Sequence, residues 1–515
     1  MNSYNFYVLL YFVALAFASV NLITTKGDES SVLGVILDCN SRVGKEEIVA
    51  IEIAIEELNN QQNRNLILRV KCSRGESVLA AQAARHLISK SHVAAILGPN
   101  SWEESSAVAE VVAATAHQSD IPILSFSDSA PPWATDRWPF FVQAAPATSN
   151  QMKAVAAIIQ SWNWRRVNII YEETDSSSSG NILNHLYAPF RDAGVQIDAL
   201  SPLPFFATSA ALSDELDKLR RAQCRVFVVH TGVALAERIF ARAHQMGMME
   251  KDYVWIATDS ITSLVHSMSP PAISSMQGVV GVRRHFRDSG DKFREFRTKF
   301  VEKFSKRYPG AEKNHGPGIF ALQAYDAARS IGLTINGTKK IDEIDFDGLS
   351  GKIEYKNRKL SPVVQFQIIN IIGRSYQELG FWSDGSGFST VLDNTVKSNN
   401  SSMEILGHVV WPGGPWSTPR GWVLPTVSNP LRIGVPNVSL TSKFVKVEYN
   451  AATKNYSFSG FSIEVFNKTV QNLNYSLPYE FIPYNGSYTD LVKQVRLKEF
   501  DAAVGDIAII SGRYD

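Results

Sequence analysis

The sequence predicts two doubly wound α/β lobes followed by a shorter α/β segment, and three observations carry that prediction. Short apolar runs rich in β-branched residues recur between residues 32 and 259, as in strands buried on both faces. Stretches of helical spacing separate them, as crossover connections in a parallel sheet require. The runs fall into two sets, and roughly 400 residues are too many for one doubly wound unit, so two lobes with a cleft between them are expected.

The chain opens with an apolar stretch from Phe6 to Val20 that has no Lys, Arg, Asp or Glu before Lys26. It is too short to span a membrane comfortably, and Ala16-Phe17-Ala18 is a small-x-small cleavage pattern, so residues 1–18 read as a secretory signal peptide. An uncleaved anchor is the alternative. Composition beyond it is globular, 45% hydrophobic and 20% charged with a formal net charge of +1, and no basic cluster with interleaved aromatics points to nucleic acid.

In the first set, VLGVILD (32–38), LILRVKC (66–72) and VAAILGP (93–99) are strands, with Ile48, Ile51, Ile55 and Leu58 at helical spacing between the first two. Cys39 and Cys72 follow or end two parallel strands, which brings them to one sheet edge and permits a disulfide; three buried, reduced thiols are the alternative. Cys224 would then be a free thiol. The second set is RVNIIYE (166–172), CRVFVVH (224–230) and YVWIATD (253–259). We place lobe one at residues 32–145 and 260–340 and lobe two at 146–259 and 341–390, so that the chain crosses three times within a domain of residues 26–390.

Ser101 opens a helix after a strand, where backbone N–H groups can accept a carboxylate. Ser101 and Glu104 also have the spacing of a capping box, which would use those donors internally. Ser125 and Ser127 end the next strand and offer hydroxyls to a ligand or to strand-end hydrogen bonds. Trp133, Trp138, Trp162 and Trp164 read as packing rather than as a stacking site.

Asn394 to Ser402 is Asn/Ser-rich and WPGGPWSTPRGW (411–422) concentrates Pro, Gly and Trp, so residues 391–430 read as a linker. LRIGVPN (431–437), GFSIEVF (460–466) and YEFIPY (479–484) then lead through an amphipathic stretch, 488–500, to FDAAVGDIAIISGRYD (500–515), in which 502–510 reads as a strand. Arg513 follows it, and a forked, permanently charged guanidinium at a strand end suits bidentate capture of a carboxylate.

Eight N-x-S/T sequons, at Asn336, Asn399, Asn400, Asn437, Asn455, Asn467, Asn474 and Asn485, suit a glycosylated extracellular surface. Catalysis has no visible carrier. There is no G-x-G-x-x-G after the first strand, no phosphate-binding G-x-x-x-x-G-K-[ST], no H-E-x-x-H and no Cys pair at metal spacing, so neither enzyme activity nor a cofactor or metal is expected.

The order of motifs from 431 to 515 resembles the first half of the ligand-binding domain of the plant glutamate receptor-like channels. GPNSWEESSAVAEV (98–111), IPILSFS (121–127) and NQMKAVAAIIQSWNWRRVNIIYE (150–172) are similar to that family's amino-terminal domain. The resemblance implies a bilobed domain of type I periplasmic-binding-protein fold, then the first segment of a type II ligand-binding domain at 431–515. It implies Arg513 on the α-carboxylate of glutamate or another L-amino acid, Asp506 and Ala508 at the preceding positions and Tyr479 as an aromatic wall. It also implies homo- or hetero-oligomers, tetramers in the full receptor, exposed outside the plasma membrane. The serine tract 176–179 departs from the family's pattern and argues against an ordered ligand contact there. A chain that stops inside a folding unit is expected to be a piece of a longer receptor; a secreted, pore-less binding or dimerisation module is the rival reading.

Overall fold

The structure is a computed structural model. It describes residues 30–508 apart from 63–64, 116–120, 174–186, 311–315, 336–339, 362–363, 393–399, 415, 424, 426, 428–429, 438–442, 452–454, 474–475 and 497–498. Arg513, the leader, the serine tract and Asn336, Asn399 and Asn474 lie outside the described residues. The chain forms two units, Met1–Glu215 with Val226–Pro419, and Leu216–Arg225 with Arg420–Asp515.

The first unit begins with β1 (Ser31–Leu37), β2 (Leu66–Cys72), β3 (Ala95–Leu97), β4 (Ile123–Ser125) and β5 (Phe141–Gln143). It continues with β6 (Arg166–Glu173), β7 (Gln196–Pro204), β8 (Val226–His230), β9 (Val254–Ala257) and β10 (Val280–Arg284). The chain then returns through β11 (Asp345–Asp347), β12 (Lys352–Lys356) and β13 (Lys359–Leu360), and crosses again to β14 (Gln365–Ile372), β15 (Ser375–Ser383) and β16 (Gly387–Ser389). One sheet has the order β11-β12-β13-β5-β4-β3-β1-β2 and the other β16-β15-β14-β10-β9-β8-β6-β7. The two α/β lobes are therefore present, each with parallel pairing at its centre and an antiparallel edge.

Helices cover both faces of the first sheet, as parallel strands without a polar face demand. Arg42–Gln62, Asp291–Arg307 and Ile319–Thr334 bury Ile51, Phe300 and Leu322 on one face. Ser77–Ser91 and Trp102–Thr115 bury Leu87 and Val108 on the other. Fully burying one such side chain contributes about 1.5–3 kcal/mol, and these two clusters hold the lobe together.

The division of the lobes differs from the sequence reading. β10 joins the lobe-two sheet, because it pairs in parallel with β9 and antiparallel with β14, while β11 to β13 extend the lobe-one sheet from β5. The later crossings therefore fall after Arg284 and after Leu360, not at residues 260 and 340. Residues 400–419 are likewise not a linker but part of the first unit. Trp411 packs edge-on against Trp162 and Trp164 at 5.7 and 5.4 Å, Val410 exchanges hydrogen bonds with Asn370, and Trp164 Nε1 donates to the Pro419 carbonyl.

The second unit contains β17 (Leu431–Pro436), the hairpin β18 (Lys446–Asn450) and β19 (Asn455–Ser459), the helix Phe461–Gln471, β20 (Tyr479–Tyr484), the helix Tyr488–Arg496 and β21 (Ala502–Ala503). β20, β17 and β21 form a parallel sheet in that order. Gly434 stands at its centre, where a Cβ would meet Leu491 and Phe500 at 2.7 Å. Of the strand expected over 502–510, the described residues are regular at Ala502–Ala503; Val504 still donates its N–H to the Gly434 carbonyl at 3.0 Å, and 505–508 run on outside the strand.

Candidate functional site

In each lobe the loops after the parallel strands and the N-termini of the helices that follow share one edge of the sheet, the place where open α/β sheets bind ligands. Lobe one supplies the loops after β1, β3 and β4; lobe two supplies the end of β6 and the loops after β8 and β9. The two edges face each other closely enough for Asp128, after β4, to act electrostatically on His230 at the end of β8. Gly98 shapes the lobe-one side. Its φ of +84° belongs to the left-handed region, and a Cβ there would lie 2.3 Å from the Ile36 carbonyl oxygen.

Two internal carboxylates occupy the helix N-termini that an anionic ligand would use. On lobe one, Ser101 Oγ donates to Glu104 Oε2 at 2.8 Å and accepts the Glu104 N–H at 3.2 Å, half of a capping box. On lobe two, Gly232, the cap of the helix Val233–Gln245, donates its N–H to Glu172 Oε2 at 2.7 Å. Burial pushes the Glu172 carboxyl above the ordinary glutamate range, and the Gly232 N–H opposes it.

The serine hydroxyls are turned inward. Ser125 is fully buried, its Oγ 2.7 Å from Ser105 Oγ and accepting the Ser127 N–H at 3.1 Å. Ser127 is also buried and shares a 3.3 Å contact with Ser129 Oγ. Ser125 and Ser127 thus lie side by side, with Ser101 on a separate turn; their contacts are hydrogen bonds within lobe one.

The polar centre of the unit escaped the sequence reading. Glu46 and Glu47, on an otherwise apolar helix face, are 0% and 2% exposed. Glu46 accepts from Arg42 Nε at 2.6 Å and from the Gly318 N–H at 3.0 Å, and Glu47 accepts from Asn100 Nδ2 at 2.7 Å. Burial raises the Glu47 carboxyl well above its ordinary value; Asn100 and Arg284 oppose that, while Glu46 and Glu104 add to it. Two adjacent glutamates within an Ile-rich helix were the available signal, since solvated charges do not interrupt a core-facing stripe. On lobe two, burial lowers His230, partly offset by Asp128 and Asp259, and its Nδ1 lies 3.0 Å from Thr258 Oγ1. No group of three His, Cys, Asp or Glu suited to a metal occurs among the described residues.

Cys39 and Cys72 form a disulfide with Cα atoms 5.4 Å apart, tying the loop after β1 to the end of β2, and Cys224 is a buried cysteine outside that disulfide. Asn437 and Asn485 are exposed and hydrogen-bonded to each other at 2.8 Å, and Asn455 is exposed. Asn400 Oδ1 instead accepts the Ser402 N–H, and half-buried Asn467 accepts the Tyr479 hydroxyl at 2.7 Å.

In the second unit Asp506 and Ala508 follow β21 and are exposed at the C-terminal edge of the parallel sheet. Tyr479 does not join them. It begins β20 opposite Leu431, so it stands at the other edge, about 15 Å or more away at 3.3 Å per residue, packed against Phe466 and Phe481. The tyrosine that reaches Asp506 is Tyr488, whose hydroxyl donates to Asp506 Oδ1; burial and that carboxylate push it up to about 12.

Residues 47–374 match the family described as the receptor family ligand binding region. The chain is 31% identical over 526 residues to Glutamate receptor 2.2 of Arabidopsis thaliana, covering 93% of this chain and 55% of that one. It is 31% identical over 552 residues to Glutamate receptor 2.3 of the same plant, covering 98% and 60%. The chain spans about half the length of the curated relatives it matches. Among solved structures it is similar to a solute binding protein of an ABC transporter from Rhodopseudomonas palustris in complex with 3,4-dihydroxy benzoic acid, with TM-score 0.55 and 16% identity, covering 69% of this chain and 97% of that one. It is also similar to the branched-chain amino acid transporter substrate binding protein LivJ from Streptococcus pneumoniae in complex with isoleucine, with TM-score 0.52 and 16% identity, covering 68% and 100%. These two establish the fold, that of the type I periplasmic binding proteins. The relatives are receptors and binding proteins, not enzymes. The chain therefore belongs to the receptor family defined by this ligand binding region and, within it, to the plant glutamate receptor-like proteins, whose N-terminal portion it resembles.

Proposed function

We propose that this chain is the extracellular ligand-sensing portion of a glutamate receptor-like, amino-acid-gated cation channel, with the pore supplied by sequence beyond it. The observation that carries the reading is the edge of the second unit's sheet, where Asp506 and Ala508 follow β21 next to Tyr488 and Arg513 comes five residues later in the sequence. There the ligand's α-carboxylate meets the Arg513 fork, the Ala508 backbone N–H adds a donor, and Tyr488 takes the wall position expected of Tyr479. The cleft of the first unit, its helix N-termini already holding Glu104 and Glu172, serves less to capture a free carboxylate than to set the lobes' relation. Among the described residues no helix is long and apolar enough to cross a membrane. In this reading the chain enters the secretory pathway, carries glycans at exposed sequons such as Asn437, Asn455 and Asn485, and assembles with further copies or related subunits at the plasma membrane.

The test is calorimetric titration of the domain completed by its second half with a panel of L-amino acids. Charge-assisted hydrogen bonds contribute about 1.5–3 kcal/mol each, so Arg513→Lys, which loses the fork, weakens binding about tenfold or more and Arg513→Ala weakens it further. Unchanged affinity in Arg513→Ala removes the carboxylate clamp. A transcript with no hydrophobic spans after residue 515 would favour a secreted, non-channel module of the same family.

A further inference from the structure

A cavity of about 890 Å³ lies at the hinge of the first unit, apart from the cleft of Ser101, Ser127 and His230, none of which lines it. All three crossings reach it, through Pro146, Arg284 to Arg287, and Ser361 with Val364. Lobe one closes one side with β12 and the turn before it, and lobe two closes the other with the end of β15 and with β16. A volume of this size is in the range that holds small molecules, and its walls belong to both lobes.

The chemistry of the walls narrows the occupant. Phe286, Phe381 and Trp382 are among the lining residues, and His285 stands edge-on to Phe381 at 5.2 Å. Most of the charged lining is already paired: Glu354 with Lys356 at 2.8 Å, Asp384 with Lys153, and Arg284 with Asp259. Arg287 and Asp347 remain, both exposed, of opposite sign, and with no ion pair among the described residues. One guanidinium and one carboxylate in a cavity that aromatic side chains also line match a zwitterion with an aromatic body; an anion or a cation alone satisfies only one of them.

We propose that this hinge cavity is a second small-molecule site, taking free aromatic amino acids, and that its occupancy is coupled to lobe opening. Coupling follows from the lining. The walls come from both lobes and all three crossings, so a ligand held there meets a different cavity when the lobes move, and a ligand shifts a conformational equilibrium by its difference in affinity for the two states.

The experiment uses the full secreted chain, with L-phenylalanine, phenethylamine and 3-phenylpropionate as probes, titrated by calorimetry and by ligand-observed NMR. Phenylalanine binds, and the two analogues, each lacking one charge, bind about tenfold or more weaker. Arg287→Ala weakens phenylalanine and phenylpropionate but leaves phenethylamine unchanged, and Ser383→Trp, which fills the cavity, abolishes binding of all three. Phenylalanine that binds a folded Ser383→Trp chain as well as the parent is held elsewhere, in the second unit for example, and overturns the site. Absence of phenylalanine binding at about 10 mM overturns it as well. Should Ser383→Trp lose its cooperative melt, Arg287→Ala decides, because that exposed side chain is not part of the core, and equal phenylalanine affinity there ends the proposal.

Discussion

Arg284 closes on Asp259 twice, its Nε donating to Oδ2 at 2.6 Å and its backbone N–H to Oδ1 at 2.7 Å. Ser263 Oγ donates to the same Oδ1 at 2.6 Å, and Arg284 Nη1 reaches Gln323 Oε1, also at 2.6 Å, on a helix that packs on lobe one. Both charged side chains are nearly buried, at 9% and 6% exposure, so neither has bulk water to fall back on. The pair sits where β10 hands the chain to the second crossing, and it joins lobe two's last parallel strand to a lobe-one helix.

Removing one partner of such a pair leaves the other buried and unpaired, at a cost of about 3–5 kcal/mol. Arg284→Ala is expected to destabilise the first unit by that amount in urea or thermal unfolding. Arg284→Met combined with Asp259→Leu should recover most of it, since apolar side chains of similar volume remove the desolvation penalty together with the attraction. Equal losses in the single and double variants would show that the pair's partners, not its charges, hold the crossing.

Glu47 makes stability depend on pH. Burial holds its carboxyl well above the ordinary glutamate value, Asn100 and Arg284 act against that, and Glu46 and Glu104 add to it. The folded state therefore binds this proton more tightly than the unfolded chain. Its contribution is fully present below the ordinary glutamate pKa and is lost as pH rises through the raised one. Glu47→Gln, permanently neutral, should narrow the difference in Tm between about pH 5 and about pH 7.5 while retaining an acceptor for Asn100 Nδ2. An unaltered pH profile would place the titration on another group.

The Cys39–Cys72 disulfide closes a loop of sequence separation 33 between the first two strands. On the loop-entropy account its loss costs about 3–4 kcal/mol. The Cys39→Ser/Cys72→Ser double variant should show a markedly lower denaturation midpoint with a somewhat steeper denaturant slope, because its unfolded chain is less compact, and reductant should shift the parent but not the variant.

Glu172 is expected to act as the resident anion of lobe two. Glu172→Ala frees the Gly232 N–H at the start of its helix, and acetate should then move the Gly232 amide resonance in the variant but not in the parent. An acetate-insensitive Gly232 in both proteins would mean that the geometry of the loop, not the carboxylate, excludes anions.

Much of the architecture is determined by the sequence itself, because apolar period and strand chemistry are local properties. VLGVILD, LILRVKC and CRVFVVH announce parallel strands without reference to any partner, and two sets of them require two lobes. Cys39 and Cys72 could be brought together on paper because both flank the same edge of one predicted sheet. What the tertiary structure alone decided is where distant segments meet. β10 belongs to lobe two because β9 and, more than eighty residues later, β14 pair with it, and 400–419 belong to the first unit because Trp411 finds Trp162 and Trp164 and Val410 finds Asn370. Tyr479, the wall that the resemblance implied, was sent by parallel pairing to the edge away from Asp506, and the helix from Tyr488 brings another tyrosine to that carboxylate. Glu47 and Ser125 have the same residue chemistry exposed or buried; packing removed their water, and hydrogen bonding then settled which partners those polar atoms must keep.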